Sequence, residues 1–232
     1  SDVYKRQARD GAPVRIAVPV LRRIANFDDL DPLAAETDVD VTLVEAGDVI
    51  PADADLILLP GSKSTISDLT FLRDQGWDID ISAHLRRGGM VMGLCGGYQM
   101  LGTRLDDPDG VEGPAGDTPG LGHLGVETVL AGDKRLIQVT AHANAFDVPV
   151  RGYEIHMGRT GGPDCDRPFL TLDGRPEGAV SADGAVIGTY LHGIFADDGF
   201  RRAFLNSLAA WRGREGAFGE VDFDARVDAT LD

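Results

Sequence analysis

Cysteine is scarce in this sequence: Cys95 and Cys165 are the two it contains. Two cysteines make no disulfide framework, so a reducing, cytoplasmic setting is the default. In that setting a cysteine in a special context is a candidate nucleophile. Long apolar runs are missing as well. No stretch approaches the roughly 18 residues of a membrane span, and Ser1 to Gly11 lacks the apolar segment of a secretory signal. Basic charge is short: 22 Lys and Arg stand against 38 Asp and Glu, a net charge of −16. That balance excludes a binder of nucleic-acid backbones, which needs a basic face. Metal-ligand spacings such as CxxC or HExxH do not occur, nor does an intact GxxxxGK[ST] loop. The expectation is therefore no metal, no nucleic acid and no membrane.

What remains is an ordinary soluble composition, 43% apolar and 26% charged over 232 residues, long enough for a substantial core. Glycine is abundant, 30 residues without a Gly-X-Y period, which places it in tight turns and in loops that approach ligands. Residues 1–12 are polar and unpatterned and read as a leader or tag. Residues 13–213 read as one domain, and 214–232 as an acidic C-terminal tail.

Short β-branched or apolar runs at Val14–Val18, Val39–Val44, Asp55–Leu59 and Met90–Leu94 predict strands. Between them, Ile24–Leu33 reads as a loop passing into a helix. A helix is expected from Ser64 or Thr65, whose hydroxyls suit an N-cap. Another is expected over Ile79–Arg87, stopped by Gly88-Gly89, and one from Tyr98 to Leu101. Strands alternating with helices at this spacing mean βα units and a mostly parallel sheet flanked by helices. The second half changes character. Leu105–Leu121, rich in Gly, Pro and Asp, reads as a loop. Strand-like runs follow at Val126–Leu130, Leu136–Ala141, Gly152–His156, Gly178–Ser181 and Val186–His192, with no helices between them. These predict added antiparallel strands. Phe200–Trp211 closes the domain as an amphipathic helix.

The sharpest feature is Gly93-Leu94-Cys95-Gly96-Gly97, set between a predicted strand and a predicted helix. This is the nucleophile-elbow pattern with cysteine in place of serine. So tight a turn leaves no room for side chains at its flanks, which Gly93 and Gly97 satisfy. The helix that follows points its first N–H groups at the sulfur, which stabilises negative charge there. The Gly96 N–H can help hold an oxyanion. Pro60-Gly61-Ser62-Lys63-Ser64-Thr65 forms a plausible anion nest at another strand-to-helix turn. It should face the same cleft and supply a second oxyanion donor. A thiol of this kind needs a base. His192 and His156 each end a strand-like run, and spacing leaves both open. His84 falls on a helix, His123 and His142 fall in turns, and Cys165 lies in a loop. All four read as incidental.

The run Gly93-Leu94-Cys95-Gly96-Gly97-Tyr98-Gln99, with Gly188-Thr189-Tyr190-Leu191-His192-Gly193 downstream, resembles the class I (triad-type) glutamine amidotransferases. Four stretches narrow the resemblance to glutaminase domains of the cobyric acid synthase type: Ile24–Leu33, Leu59–Leu69, Cys95–Gly102 and Gly152–Gly158. It covers about Val14 to Leu208 and implies the flavodoxin-like fold of that class. It also implies that Cys95 attacks the amide of glutamine to give a glutamyl thioester, with His192 as general base and acid. Gly61 and Gly96 match the oxyanion-hole positions, and Gln99 matches a residue that holds the glutamine. The resemblance further implies an ATP-dependent synthetase domain, normally N-terminal in the same chain. That domain would carry the ATP and Mg and bind the corrinoid acceptor, adenosylcobyrinic acid a,c-diamide, amidated in cobalamin biosynthesis. No cofactor is expected in the chain itself. Triad amidotransferases usually carry Glu two residues beyond the histidine, where this sequence has Ile194. Glu154 is the expected substitute, on a run that could pair beside His192. Two other readings are a sister amidotransferase, acting on cobyrinic acid or on lipid II, and a non-catalytic docking module.

Overall fold

The structure is a computed structural model and describes residues 14–131, 137–155, 157–214 and 221–223. The proposed leader, most of the acidic tail and His156 lie outside the described residues.

The first half runs β1 (Val14–Pro19), β2 (Ile24–Ala25), a 3₁₀ turn (Phe27–Leu30), α1 (Asp31–Ala35), β3 (Val39–Val44), β4 (Leu56–Leu59), β5 (Gly61–Ser62), α2 (Thr65–Asp74), α3 (Trp77–Arg86), β6 (Met90–Leu94) and α4 (Gly96–Leu101). The second half adds β7 (Arg104–Asp107), β8 (Gly116–Pro119), β9 (Glu127–Val129), β10 (Ile137–Ala143), β11 (Val148–Glu154) and β12 (Arg159–Gly161). After these come β13 (Leu170–Leu172), β14 (Arg175–Glu177), β15 (Ala179–Val180), β16 (Val186–Thr189), β17 (Leu191–His192) and α5 (Asp198–Trp211).

The central sheet has the order β15-β16-β6-β4-β1-β3. Its pairings are parallel except at the β15 edge. Alternation along buried strands sends side chains to both faces. Leu56 and Leu58 of β4 enter one core with Met92, Phe200, Phe204 and Leu208. Ile57 and Leu59 enter the other with Leu69, Leu72, Trp77 and Ile81. Helix α5 therefore covers one face, and α2 and α3 the other. The carboxyl ends of β4, β6 and β16 open on one rim. A second, antiparallel sheet, β14-β13-β10-β11-β17, stands against that rim.

Several boundaries differ from the sequence reading, each for a physical reason. Helix α3 begins at Trp77, two residues earlier than expected, because Gly76 takes a left-handed conformation (φ 76°) that ends α2 and starts the next helix. Helix α4 begins at Gly96, directly after the elbow, and α5 begins at Asp198, with the Asp197 carboxylate accepting the Phe200 N–H. The segment 105–121, read as loop, contributes β8 and most of β7, which pair with each other and place β7 beside β9. Their own residues have weak strand preference, and tertiary pairing overrides it. The run 186–192 is two strands. Tyr190 breaks it: its N–H donates to Glu177 Oε1 at 2.7 Å, and the Leu191 N–H donates to Thr189 Oγ1 at 3.1 Å. The chain thereby leaves the central sheet and joins the second one at His192.

Candidate active site

Strand β6 delivers Cys95 to the carboxyl rim. The residue sits at φ 51°, ψ −107°, a backbone conformation an L side chain rarely adopts and one that nucleophile positions tolerate when the surroundings enforce it. The glycines enforce it. A Cβ at Gly93 would lie 2.5 Å from the Gly97 carbonyl carbon, and one at Gly97 would lie 2.3 Å from the Leu59 carbonyl oxygen. Both obstacles are backbone, so neither can swing aside. Gly97→Ala is accordingly expected to cost about 1–3 kcal/mol, read as a fall of several degrees in the thermal midpoint. An unchanged midpoint would mean that α4 does not press on β4 as described.

Cys95 and His192 line one cavity of about 200 Å³, together with Ser62, Lys63, Gln99 and Glu112. The thiol is 8% exposed and donates to the Ile155 carbonyl at 3.4 Å. His192 is fully buried, and its Nε2 has no hydrogen-bond partner among the described residues. Its other nitrogen, Nδ1, lies 2.6 Å from Asp29 Oδ2, while Asp29 Oδ1 accepts the Gly193 N–H at 2.7 Å. Tyr153 stacks on the imidazole at a centroid distance of 5.4 Å and an angle of 18°. Burial pulls the imidazole down, but the Asp29 carboxylate and the Cys95 side chain more than offset it, and the net value is raised to about 9. Tyr153 is pushed up to about 12, by its own burial and by Asp29 and Asp28 beside it.

Glu154 does not take the orienting position. Its strand does pair with the histidine's strand, as expected, but the register sets Glu154 opposite Leu191 and Tyr153 opposite His192. The Glu154 carboxylate accepts from Arg175 at 2.6 Å. Asp29, from the 3₁₀ turn after β2, stands at Nδ1 instead.

Gly61 also differs from expectation. In the antiparallel β2–β5 pair, Gly61 faces Ala25 and Ser62 faces Ile24, and the Lys63 N–H donates to the Arg23 carbonyl at 2.8 Å. Bonded and non-bonded pairs alternate along such a ladder. The Gly61 N–H is therefore committed to Ala25, and the Ser62 N–H turns out of the ladder toward α4. A Cβ at Gly96 would lie 2.9 Å from that Ser62 nitrogen. The Gly96 N–H, at the start of α4, and the Ser62 N–H thus lie at one turn, both outside the β2–β5 ladder. Gly61 makes room for the imidazole: a Cβ there would lie 3.0 Å from His192 Cε1. Asp68, fully buried, holds the loop in place by accepting the Ser62 hydroxyl at 2.6 Å and the Arg23 N–H at 3.2 Å.

The Gln99 amide is tied inward. Its Oε1 accepts from Thr65, and its Nε2 donates to the Met157 carbonyl and the Tyr190 hydroxyl. It lines the cavity as part of the wall that fixes α4 against α2. The other described histidines do not line this cavity. His84 packs beneath Gly89 and bonds the Met90 carbonyl at 2.9 Å. His123 lies 3.4 Å from the Ser82 hydroxyl, and His142 pairs with Asp147 on the surface. Burial pushes the Cys165 thiol up, and it lies 3.9 Å from the Tyr98 hydroxyl. A larger cavity, about 730 Å³, is lined by Asp28, Asp29, Tyr153 and Gly193. Neither cysteine lines it. Among the described residues, no group of three or more His, Cys, Asp or Glu could hold a metal ion, and no helix is long and apolar enough to cross a membrane.

Residues 15–200 match the family described as the CobB/CobQ-like glutamine amidotransferase domain. The chain is 57% identical to the cobyric acid synthase of Ruegeria sp. (strain TM1040), over all of its own length and 48% of the relative's. It is 62% identical to that of Rhodobacter capsulatus, over 83% of the chain and 40% of the relative. It spans about half the length of the curated relatives it matches, and the shared part is their C-terminal half. Among solved structures, PurLQS from Thermotoga maritima superposes with a TM-score of 0.63 at 20% identity, covering 84% of this chain and 99% of that one. A crystal structure of a glutamine amidotransferase superposes with a TM-score of 0.58 at 14% identity, covering 84% and 98%. These two likenesses speak for the fold.

Proposed function

We propose that this chain, which belongs to the CobB/CobQ-like glutamine amidotransferase family, hydrolyses glutamine through Cys95 and hands the ammonia to the synthetase half of a cobyric acid synthase. The observation that carries the reading is a thiol and an imidazole lining one small cavity, with the imidazole braced from behind by a buried carboxylate. Cys95 Sγ, having passed its proton to His192 Nε2, attacks the side-chain carbonyl carbon of glutamine. The oxygen that gains charge is held by the Gly96 and Ser62 N–H groups. The tetrahedral adduct collapses, the C–N bond breaks, and Nε2–H protonates the departing nitrogen, leaving ammonia and a glutamyl thioester. Neutral Nε2 then takes a proton from water, the hydroxide attacks the thioester, and glutamate leaves as the thiol is restored. Among the described residues Nε2 makes no hydrogen bond, which leaves it free for both transfers. Asp29 fixes the Nδ1–H tautomer and stabilises the imidazolium, the part a buried carboxylate plays in triad hydrolases.

The ATP and Mg chemistry, and the corrinoid acceptor, would belong to the other half of the longer protein. The test is ammonia release from glutamine by the full-length protein that carries this chain, with ATP and adenosylcobyrinic acid a,c-diamide supplied. Glutamate should appear in an amount equal to the free ammonia plus the amide nitrogen added to the acceptor, and iodoacetamide at Cys95 should abolish its formation. Amidation from free ammonium that survives alkylation, with no glutamate ever formed from glutamine, would overturn the proposal.

A further inference from the structure

The cavity that holds the thiol carries one fixed charge of each sign besides the reacting groups, Lys63 and Glu112. Neither is needed for the bond chemistry. Glu112 comes from the Gly- and Pro-rich segment between β7 and β8, which looks from composition like filler. It is held deliberately. Asp107, fully buried at the end of β7, accepts the Val111 N–H at 2.7 Å on one oxygen and the Glu112 N–H at 2.9 Å on the other. The loop is thereby folded back over α2, where Glu112 Oε2 accepts the Ile66 N–H at 2.9 Å. Ser64, the N-cap residue of α2, makes no side-chain cap bond, so Glu112 caps this helix from 46 residues away. Its other oxygen, Oε1, takes no hydrogen bond among the described residues.

Lys63 lines the same cavity, directly after Ser62 in the chain. Its backbone N–H is bonded to the Arg23 carbonyl, which fixes where the side chain departs. Its side chain is exposed, and among the described residues no carboxylate pairs with it. In a chain of net charge −16, whose lysines are Lys5, Lys63 and Lys134, an unpaired ammonium at the mouth of the nucleophile's cavity is informative. Charged groups lining a small cavity bind best when the ligand brings the opposite charges at matching places.

We infer that Glu112 and Lys63 read the free amino acid: Glu112 takes the α-ammonium of the glutamine and Lys63 its α-carboxylate. The inference rests on the proposed glutaminase reading and adds the substrate's selection to it. It makes the site specific for free glutamine against glutamine within a peptide, which has neither charge, and against plain carboxamides. Both residues are specificity determinants, remote from the bond that breaks.

The experiment uses the full-length protein with three amides: glutamine; glutaramate, which lacks the α-ammonium; and 4-aminobutanamide, which lacks the α-carboxylate. Glu112→Gln keeps an oxygen for the Ile66 N–H, so the helix cap survives and only the charge is lost. It should lower kcat/KM for glutamine about ten- to hundredfold, mainly through KM, and leave glutaramate unchanged. Lys63→Gln should lower glutamine by a similar factor and leave 4-aminobutanamide unchanged. If Glu112→Gln lowers glutamine and glutaramate by the same factor, Glu112 is a helix cap alone and its half of the inference falls. An equal loss on glutamine and 4-aminobutanamide in Lys63→Gln disposes of the other half. A protein that hydrolyses glutamine with every ratio unmoved in both variants overturns the inference and leaves the proposed function standing. A wild-type protein that releases no ammonia from glutamine overturns both.

Discussion

Cys95→Ala is expected to stop ammonia release from glutamine, lowering turnover by about 10⁴-fold or more, with the thermal midpoint held close to that of the parent. The two parts of the result have separate causes. Turnover falls because no other thiol lines the cavity among the described residues: Cys165 lies elsewhere, with its thiol held up by burial against Tyr98. Stability holds because the thiol contributes a single weak hydrogen bond, to the Ile155 carbonyl at 3.4 Å. Its backbone, at φ 51°, is held by the glycines on either side rather than by the sulfur, and alanine suffers there no more than cysteine. Amidation supported by added ammonium should survive in the full-length variant, since that step would belong to the other half. The measurement is glutamate formation from glutamine beside a melting curve. Residual glutaminase above about a hundredth of the parent rate would point to another nucleophile.

How much of this site was legible in the sequence follows from how local each contact is. The elbow could be read because its constraint is local. Three glycines within five residues of a cysteine, between an apolar run and a helix, admit few backbones, and the structure adds only the atoms they avoid. The parallel sheet could be read because β1, β4 and β6 are buried almost throughout and so nearly continuously apolar, while β3, at the edge, alternates with β-branched residues. Asp29 could not be read. It meets His192 across 163 residues, from a turn that carries several acidic residues with nothing in its pattern to distinguish one. Glu154 is drawn in by correct strand pairing, and a single step of register separates it from Tyr153, which does stack on the imidazole. Gly61 failed in the same way, since alternate N–H groups on a ladder face opposite directions, and only the pairing with β2 says which. Glu112 lay inside a segment whose composition spelled loop. Its placement depends on Asp107 and on the first turn of α2, both remote in sequence.

Asp29→Asn should then give the second large effect, and its signature is in the pH dependence. Asparagine can keep a hydrogen bond to Nδ1, but it cannot also accept the Gly193 N–H with its amino group, so one of the two contacts now seen at 2.6 and 2.7 Å is lost. The negative charge is lost with it. Turnover should fall about 10²–10⁴-fold, and His192→Ala, which removes the ring itself, sets the lower limit. In the parent, with the imidazole raised to about 9, the proton donor for the departing nitrogen persists to about that pH, and kcat/KM should decline above it. In Asp29→Asn the buried ring has lost its main support, so the alkaline decline should begin well below pH 9. Stability reports the same linkage independently. A histidine raised on folding adds stability in full below its unfolded value of about 6.5, and that contribution fades as pH rises through the folded value. The parent's melting temperature should therefore drop between about pH 6.5 and 9 through this group, and the variant should lose that part of the slope. A carboxylate that only filled space would change neither the position of the alkaline limb nor the slope, so a variant slowed at every pH by one constant factor would remove Asp29 from the proton chemistry.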